Sequence, residues 1–186
     1  MKYISIGVVG QKSSEHILNI SRGSYKFCLT GIQAGLWLNG RYGFSDTNTA
    51  QEEKELQQLS KMGLAVICDG SYSEEYRALA HCTLVPTEIR YPFLGIKGQE
   101  NTILKWLREA GLVLSMAELT YLIDRRIPLQ PRLLGSNNAQ ALVEEIYTKE
   151  TIFDNILENR MEHSRARDSV VDSVLKLVRK KRIILL

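Results

Sequence analysis

The sequence predicts a helix-rich α+β protein built as two units with small β-hairpins. Three observations carry that expectation. Apolar residues recur at helical spacing in segments bounded by capping residues and glycines. Short apolar, strand-length runs stand at Tyr3–Val9, Leu64–Cys68 and Ile183–Leu186. A stretch rich in turn-forming residues, Pro86 to Gly98, separates an N-terminal unit over 1–90 from a C-terminal unit over 99–186.

Along the first unit, Tyr3–Val9 reads as a buried strand ending at Gly10, and Gln11–Ser24 as a polar, turn-like segment. Ser24 is placed to cap a helix running to about Asn39, with Tyr25, Cys28, Leu29, Ile32 and Leu36 on one face. A second helix over Ala50–Met62 buries Leu56, Leu59 and Met62 and stops at Gly63. Leu64–Cys68 is then a strand, and Asp69-Gly70-Ser71 a turn. Tyr76–Val85 returns either as a partner strand or as a helix opened by Ser73-Glu74-Glu75.

The second unit reads as nearly all helix. Gln99–Ala110 buries Ile103 and Leu107, with Trp106 beside them, and ends at Gly111. Ser115-Met116-Ala117-Glu118 is a capping box, in which the two side chains satisfy free amides at the helix start. Pro128 and Pro131 break the chain. Asn137–Tyr147 and a segment from Thr148 follow as helices, the latter burying Ile152, Phe153, Ile156 and Leu157. Arg167–Lys181 buries Val170, Val171, Val174, Leu175 and Val178. One ungapped offset sets Leu56 on Leu175, Leu59 on Val178 and Leu64 on Ile183, which suggests an internal repeat.

Helix, loop, helix ending at Met62-Gly63-Leu64, then strand and turn resembles the winged-helix variant of the helix-turn-helix. The resemblance covers about residues 26–85, with a second copy over about 145–186. It is to a superfamily, and it implies either a nucleic-acid reader or a protein-interaction module. In the first copy the helix meant for a DNA groove carries Glu52, Glu53 and Glu55, which repel phosphates. The second differs: Arg160–Leu186 holds eight basic and three acidic residues, a balance of +5. Part of that cluster compensates a helix C-terminus. The candidate contacts to nucleic acid or an acidic partner are Arg165, Arg167, Lys176, Arg179 and Lys180. The candidate protein-contact aromatics near turns are Tyr42, Phe44, Tyr72, Tyr91 and Phe93.

Catalytic chemistry finds little footing. The 186 residues carry 24 basic against 21 acidic side chains, a net +3, too balanced to demand a polyanionic partner. Cys28, Cys68 and Cys82 form no disulfide framework and fit a reducing compartment. His16, His81 and His163 lack zinc-site spacing. Gly7-Val8-Val9-Gly10-Gln11-Lys12-Ser13 follows a strand but puts Gln11 where a phosphate loop needs glycine. No serine sits in a nucleophile elbow. Lys2–Val9 is too short and mixed for a signal peptide, and Ile183–Leu186 is only strand length. The expectation is a cytoplasmic, non-enzymatic adaptor without cofactor or membrane segment, binding another protein or itself. The alternative is a DNA-binding regulator using the basic C-terminal helix.

Overall fold

The computed structural model describes residues 1–10, 17–128, 140–141, 144–148 and 154–186. The fold is mixed α+β, helices with small three-stranded antiparallel sheets. In chain order the elements begin with β1 (Lys2–Ser5), β2 (Val8–Val9), β3 (Leu18–Arg22) and β4 (Tyr25–Leu29). They continue with α1 (Gly31–Gly40), β5 (Ser45–Asp46), α2 (Ala50–Lys61), β6 (Ala65–Cys68), α3 (Tyr72–Ala80) and β7 (Thr83–Pro86). Then come α4 (Gly98–Arg108), β8 (Leu114–Ser115), α5 (Met116–Asp124) and a π-helical turn at Glu144–Thr148. The chain closes with α6 (Asp154–Glu162), α7 (Arg167–Arg179) and β9 (Ile183–Leu185).

Two of the three sheets share one plan. Their strand orders are β5-β1-β6 and β8-β7-β9. In each, the strand earliest in the chain is central. A two-residue edge strand leads to a capping-box helix, α2 at Thr49 and α5 at Ser115. The other edge strand follows a helix that ends on a left-handed residue, Gly63 after α2 and Lys181 after α7. Those two ends make the same bonds: the next amide reaches back five residues, Leu64 to Leu59 and Arg182 to Leu177. Aligned on these ends, Leu56 matches Val174 and Leu59 matches Leu177, all fully buried. That register is one residue off the offset suggested by pattern. The buried face of α7 is wide enough (Val174, Leu175, Leu177, Val178) for either register to match apolar on apolar.

Sequence expectation fails in three places in the first unit. Residues 24–29 are not helix. Gly23 adopts φ +57 and makes a two-residue turn, so Tyr25–Leu29 folds back on β3, with Arg22 opposite Tyr25 and Leu18 opposite Leu29. Tyr25, Phe27 and Leu29 therefore alternate along a strand, and the helix begins only after Thr30. Second, the expected strand Tyr3–Val9 breaks at Gly7 (φ +114). There a Cβ would stand 2.8 Å from Ile20, and Val8–Val9 pairs in the third sheet, β2-β3-β4. Third, Leu18–Arg22 is strand β3 inside the segment expected to be turn-like. Of the two options for Tyr76–Val85, the hairpin with β6 does not form. Ser71 Oγ accepts from the Glu74 amide and starts α3, so the helical option holds for 72–80. Of the expected helix over Asn137–Tyr147, residues 140–141 are α-helical and 144–147 belong to the π-helical turn that runs to Thr148, while 137–139 and 142–143 lie outside the described residues, as do Pro131, Ile152 and Phe153.

Two hydrophobic clusters form the core. One gathers Leu18, Ile20, Leu29, Leu36, Trp37, Leu56 and Leu59; the other runs from α3 to β9. Strand β1 serves both, because successive side chains point to opposite faces: Tyr3 enters the first, Ile4 and Ile6 the second. Helix α3 packs into the second cluster through Tyr76 and Leu79 and is also held by charge. Glu162 on α6 accepts from Ser73 Oγ at 2.5 Å and Arg77 Nε at 3.1 Å, and the arginine holds its carboxyl below the usual range. From β1, Lys2 meets the buried Glu75 at 2.5 Å. Arg167 donates to the Glu162 carbonyl and fixes the turn between α6 and α7.

Gly40 lets α1 touch β1. A Cβ there would stand 2.5 Å from Ser5 Oγ and 2.7 Å from the Tyr3 ring. Gly40→Ala is expected to cost about 1–3 kcal/mol, as overpacking does, read as a lower midpoint in urea unfolding. A depressed folded-state pKa stabilises above the ordinary carboxyl value of 4.5 and loses that contribution as pH falls through the folded value. Glu162→Gln should therefore lower the melting temperature at neutral pH and make the acid limb of a stability–pH curve shallower.

Candidate functional site

The third sheet ends in an unpaired edge. Strand β4 pairs with β3 and with no other strand among the described residues. An edge of this kind presents a row of amides and carbonyls to which a further strand can add. Tyr25 is 72% exposed, the Phe27 ring lies 6.5 Å from the Tyr25 ring, and Lys26 and Cys28 face the other way, exposed.

Beneath Tyr25 and Phe27 lies an open cleft of about 580 Å³. The hairpin supplies one wall. Met62, His81, Thr83 and Leu186 supply the rest, so both halves of the chain contribute. Arg22 closes one end by donating to the Gly63 carbonyl, which ties the hairpin to the end of α2. A Cβ on Gly63 would collide with that guanidinium, so the same glycine ends the helix and admits the clamp. The cleft's volume is in the range of binding sites. Its lining is aromatic and thioether with a few polar tips, which suits an apolar side chain more than a charged one.

The five cations expected to form a contact surface divide. Arg167 is tied to Asp168 and the Glu162 carbonyl. Lys180 bridges to Glu100 at 2.7 Å and to the Gly95 carbonyl. Arg165, Lys176 and Arg179 are exposed, with no ion pair among the described residues. The five aromatics also separate. Phe44 and Phe93 pack partly buried on the second cluster. Tyr72 is half exposed, its hydroxyl 3.4 Å from Asp172, which pushes its pKa up. Tyr91 is 60% exposed beside Arg90, and Tyr42 sits between Arg41 and Lys181.

Sequence reasoning missed Arg22, Tyr25, Phe27 and His81. The signal was present as the two-residue turn Gly23-Ser24 flanked by alternating side chains, but helical spacing over the same residues masked it. The buried cysteines are inert: burial pushes Cys82 up to about 12 and also raises Cys68. Among the described residues no group of three or more His, Cys, Asp or Glu is placed to hold a metal ion, and no helix is long and apolar enough to cross a membrane. Comparison with protein families, curated proteins and solved structures finds no match.

Native alkylation with iodoacetamide should modify Cys28 alone, with Cys68 and Cys82 reacting only after unfolding. Intact and peptide mass spectrometry read this directly, and early modification of Cys82 would contradict its burial between α3 and β7 in the chain.

Proposed function

We propose that the protein is a non-enzymatic adaptor made of two winged-helix-like units and that it binds another protein. One observation carries the reading: the unpaired edge of β4 stands directly over a cleft lined by Tyr25, Phe27 and Met62. An extended partner segment adding to β4 gains main-chain hydrogen bonds, and every second side chain points into the cleft. Exposed tyrosine is a suitable anchor, because its large ring orders with little loss of rotamer freedom. The shared sheet plan, with a helix that turns on a left-handed residue into an edge strand, supports the winged-helix likeness of both units.

A second reading, a DNA-binding regulator, is favoured by Arg165, Lys176 and Arg179, which are exposed and meet no carboxylate among the described residues. The acidic start of α2, with Glu52 and Glu53 in its first turn, favours the protein-binding reading for the first unit.

Capture from a random peptide library should enrich extended segments with an apolar residue at alternate positions. Tyr25→Ala should weaken such a peptide at least tenfold, about 1.4 kcal/mol, without moving the melting temperature. Hydrogen exchange should slow at the amides of 25–29 when the peptide binds. Unchanged affinity in Tyr25→Ala together with unchanged exchange in β4 would remove the site.

A further inference from the structure

The C-terminal ends of α1 and α7 meet at a corner that gathers cations around one aromatic ring. Arg41 follows the last residue of α1. Its guanidinium lies 5.6 Å from the centre of the Trp37 ring and 5.0 Å from that of Tyr42. Lys181 Nζ lies 5.1 Å from the same Tyr42 ring. Arg179 lies alongside: its Nε is 3.5 Å from where a Cβ on Gly43 would stand. The platform under Arg41 is rigid, because Trp37 is fully buried and donates from Nε1 to the Ile6 carbonyl at 3.0 Å.

What sets this corner apart is that its cations, which meet no carboxylate among the described residues, gather around one aromatic ring. Lys2, Lys180, Arg77 and Arg167 each meet a carboxylate. Arg41, Arg179 and Lys181 meet none among the described residues. The two helix ends favour cations here and account for their placement. A guanidinium stacked on a ring nevertheless keeps its in-plane donors free for a second, planar or bidentate acceptor such as a phosphate. Lys181 adds a backbone argument. It holds φ +57, the position that Gly63 fills at the matching end of α2. A non-glycine residue is disfavoured there, so nothing in the turn itself calls for a lysine.

We propose that Arg41, Tyr42, Arg179 and Lys181 form a binding site for the phosphate backbone of nucleic acid. Three cations grouped about one ring suit consecutive phosphates of a strand. Anionic membranes are bound by clusters of about four to eight basic residues; here Lys180 is held by Glu100 and Arg182 by the Leu94 carbonyl, which leaves three cations at the ring. The site draws Arg41 and Tyr42 from one half of the chain and Arg179 and Lys181 from the other, so it adds to the basic C-terminal helix a contribution from the end of α1. It does not depend on the β4 edge.

The test is fluorescence anisotropy of the full chain with a short labelled DNA duplex, titrated between about 50 and 200 mM KCl. Three phosphate contacts give a slope of log affinity against log salt of about −2.7. Arg41→Gln, Arg179→Gln and Lys181→Gly should each weaken binding and reduce that slope by about one. Lys181→Gly is the decisive variant, because glycine fits the left-handed turn and removes the cationic side chain without straining the backbone; its melting temperature should not fall. Lys54→Gln, exposed on α2, should leave binding unchanged. No binding at about 50 mM salt, or a slope indifferent to all three substitutions, overturns the proposal. Binding to phosphatidylserine vesicles that those substitutions abolish, with no binding to the duplex, overturns it in favour of a membrane surface.

Discussion

Strand β1 is the wall on which both halves of the core lean. Its alternation sends Tyr3 to one cluster and Ile4 and Ile6 to the other. Each of those isoleucines is fully buried, worth about 1.5–3 kcal/mol by transfer. The chain just beyond it is claimed from both sides: the Ile6 amide bonds to the Leu64 carbonyl, and the Gly7 amide to the Leu185 carbonyl. Trp37 then bonds the Ile6 carbonyl, and Tyr3 the Leu36 carbonyl. A single short strand thus fixes α1, β6 and β9 relative to one another. Any side chain larger than glycine at residue 40 would push α1 off it.

With that wall in place, the hairpin of β3 and β4 becomes an appendage with a defined seat. One face, through Leu18, Ile20 and Leu29, closes the first cluster. Its outer edge pairs with no strand among the described residues, and Tyr25 is exposed there. Burial and exposure thus fall at opposite ends of one five-residue strand: Leu29 is buried and Tyr25 is exposed.

Charges follow a similar division. Carboxylates hold the cations that join elements, as with Arg77 and Glu162 or Lys180 and Glu100. The cations left without carboxylates around Tyr42 stand where two helix ends converge. Their common feature is tertiary, since Arg41 and Lys181 are far apart in the chain and close around one ring.

The sequence by itself determined the local elements whose signals are short-ranged. The capping box at Ser115, the amphipathic faces of α2, α4 and α7, and the stop at Gly63 all depend on residues within one or two turns, and they formed as expected. Only tertiary structure decided the fate of residues 24–29. Helical spacing fits Tyr25, Cys28 and Leu29, strand spacing fits Tyr25, Phe27 and Leu29, and pairing with Leu18–Arg22 chose the strand. Tertiary structure alone also separated β6 from β7 into different sheets, because the choice between hairpin and helix at 72–80 rested on what Tyr76 and Leu79 had to pack against. Both candidate sites belong to this second class. The cleft and the basic corner are each assembled from the two halves of the chain, and a surface made by packing has no periodicity along the sequence from which to read it.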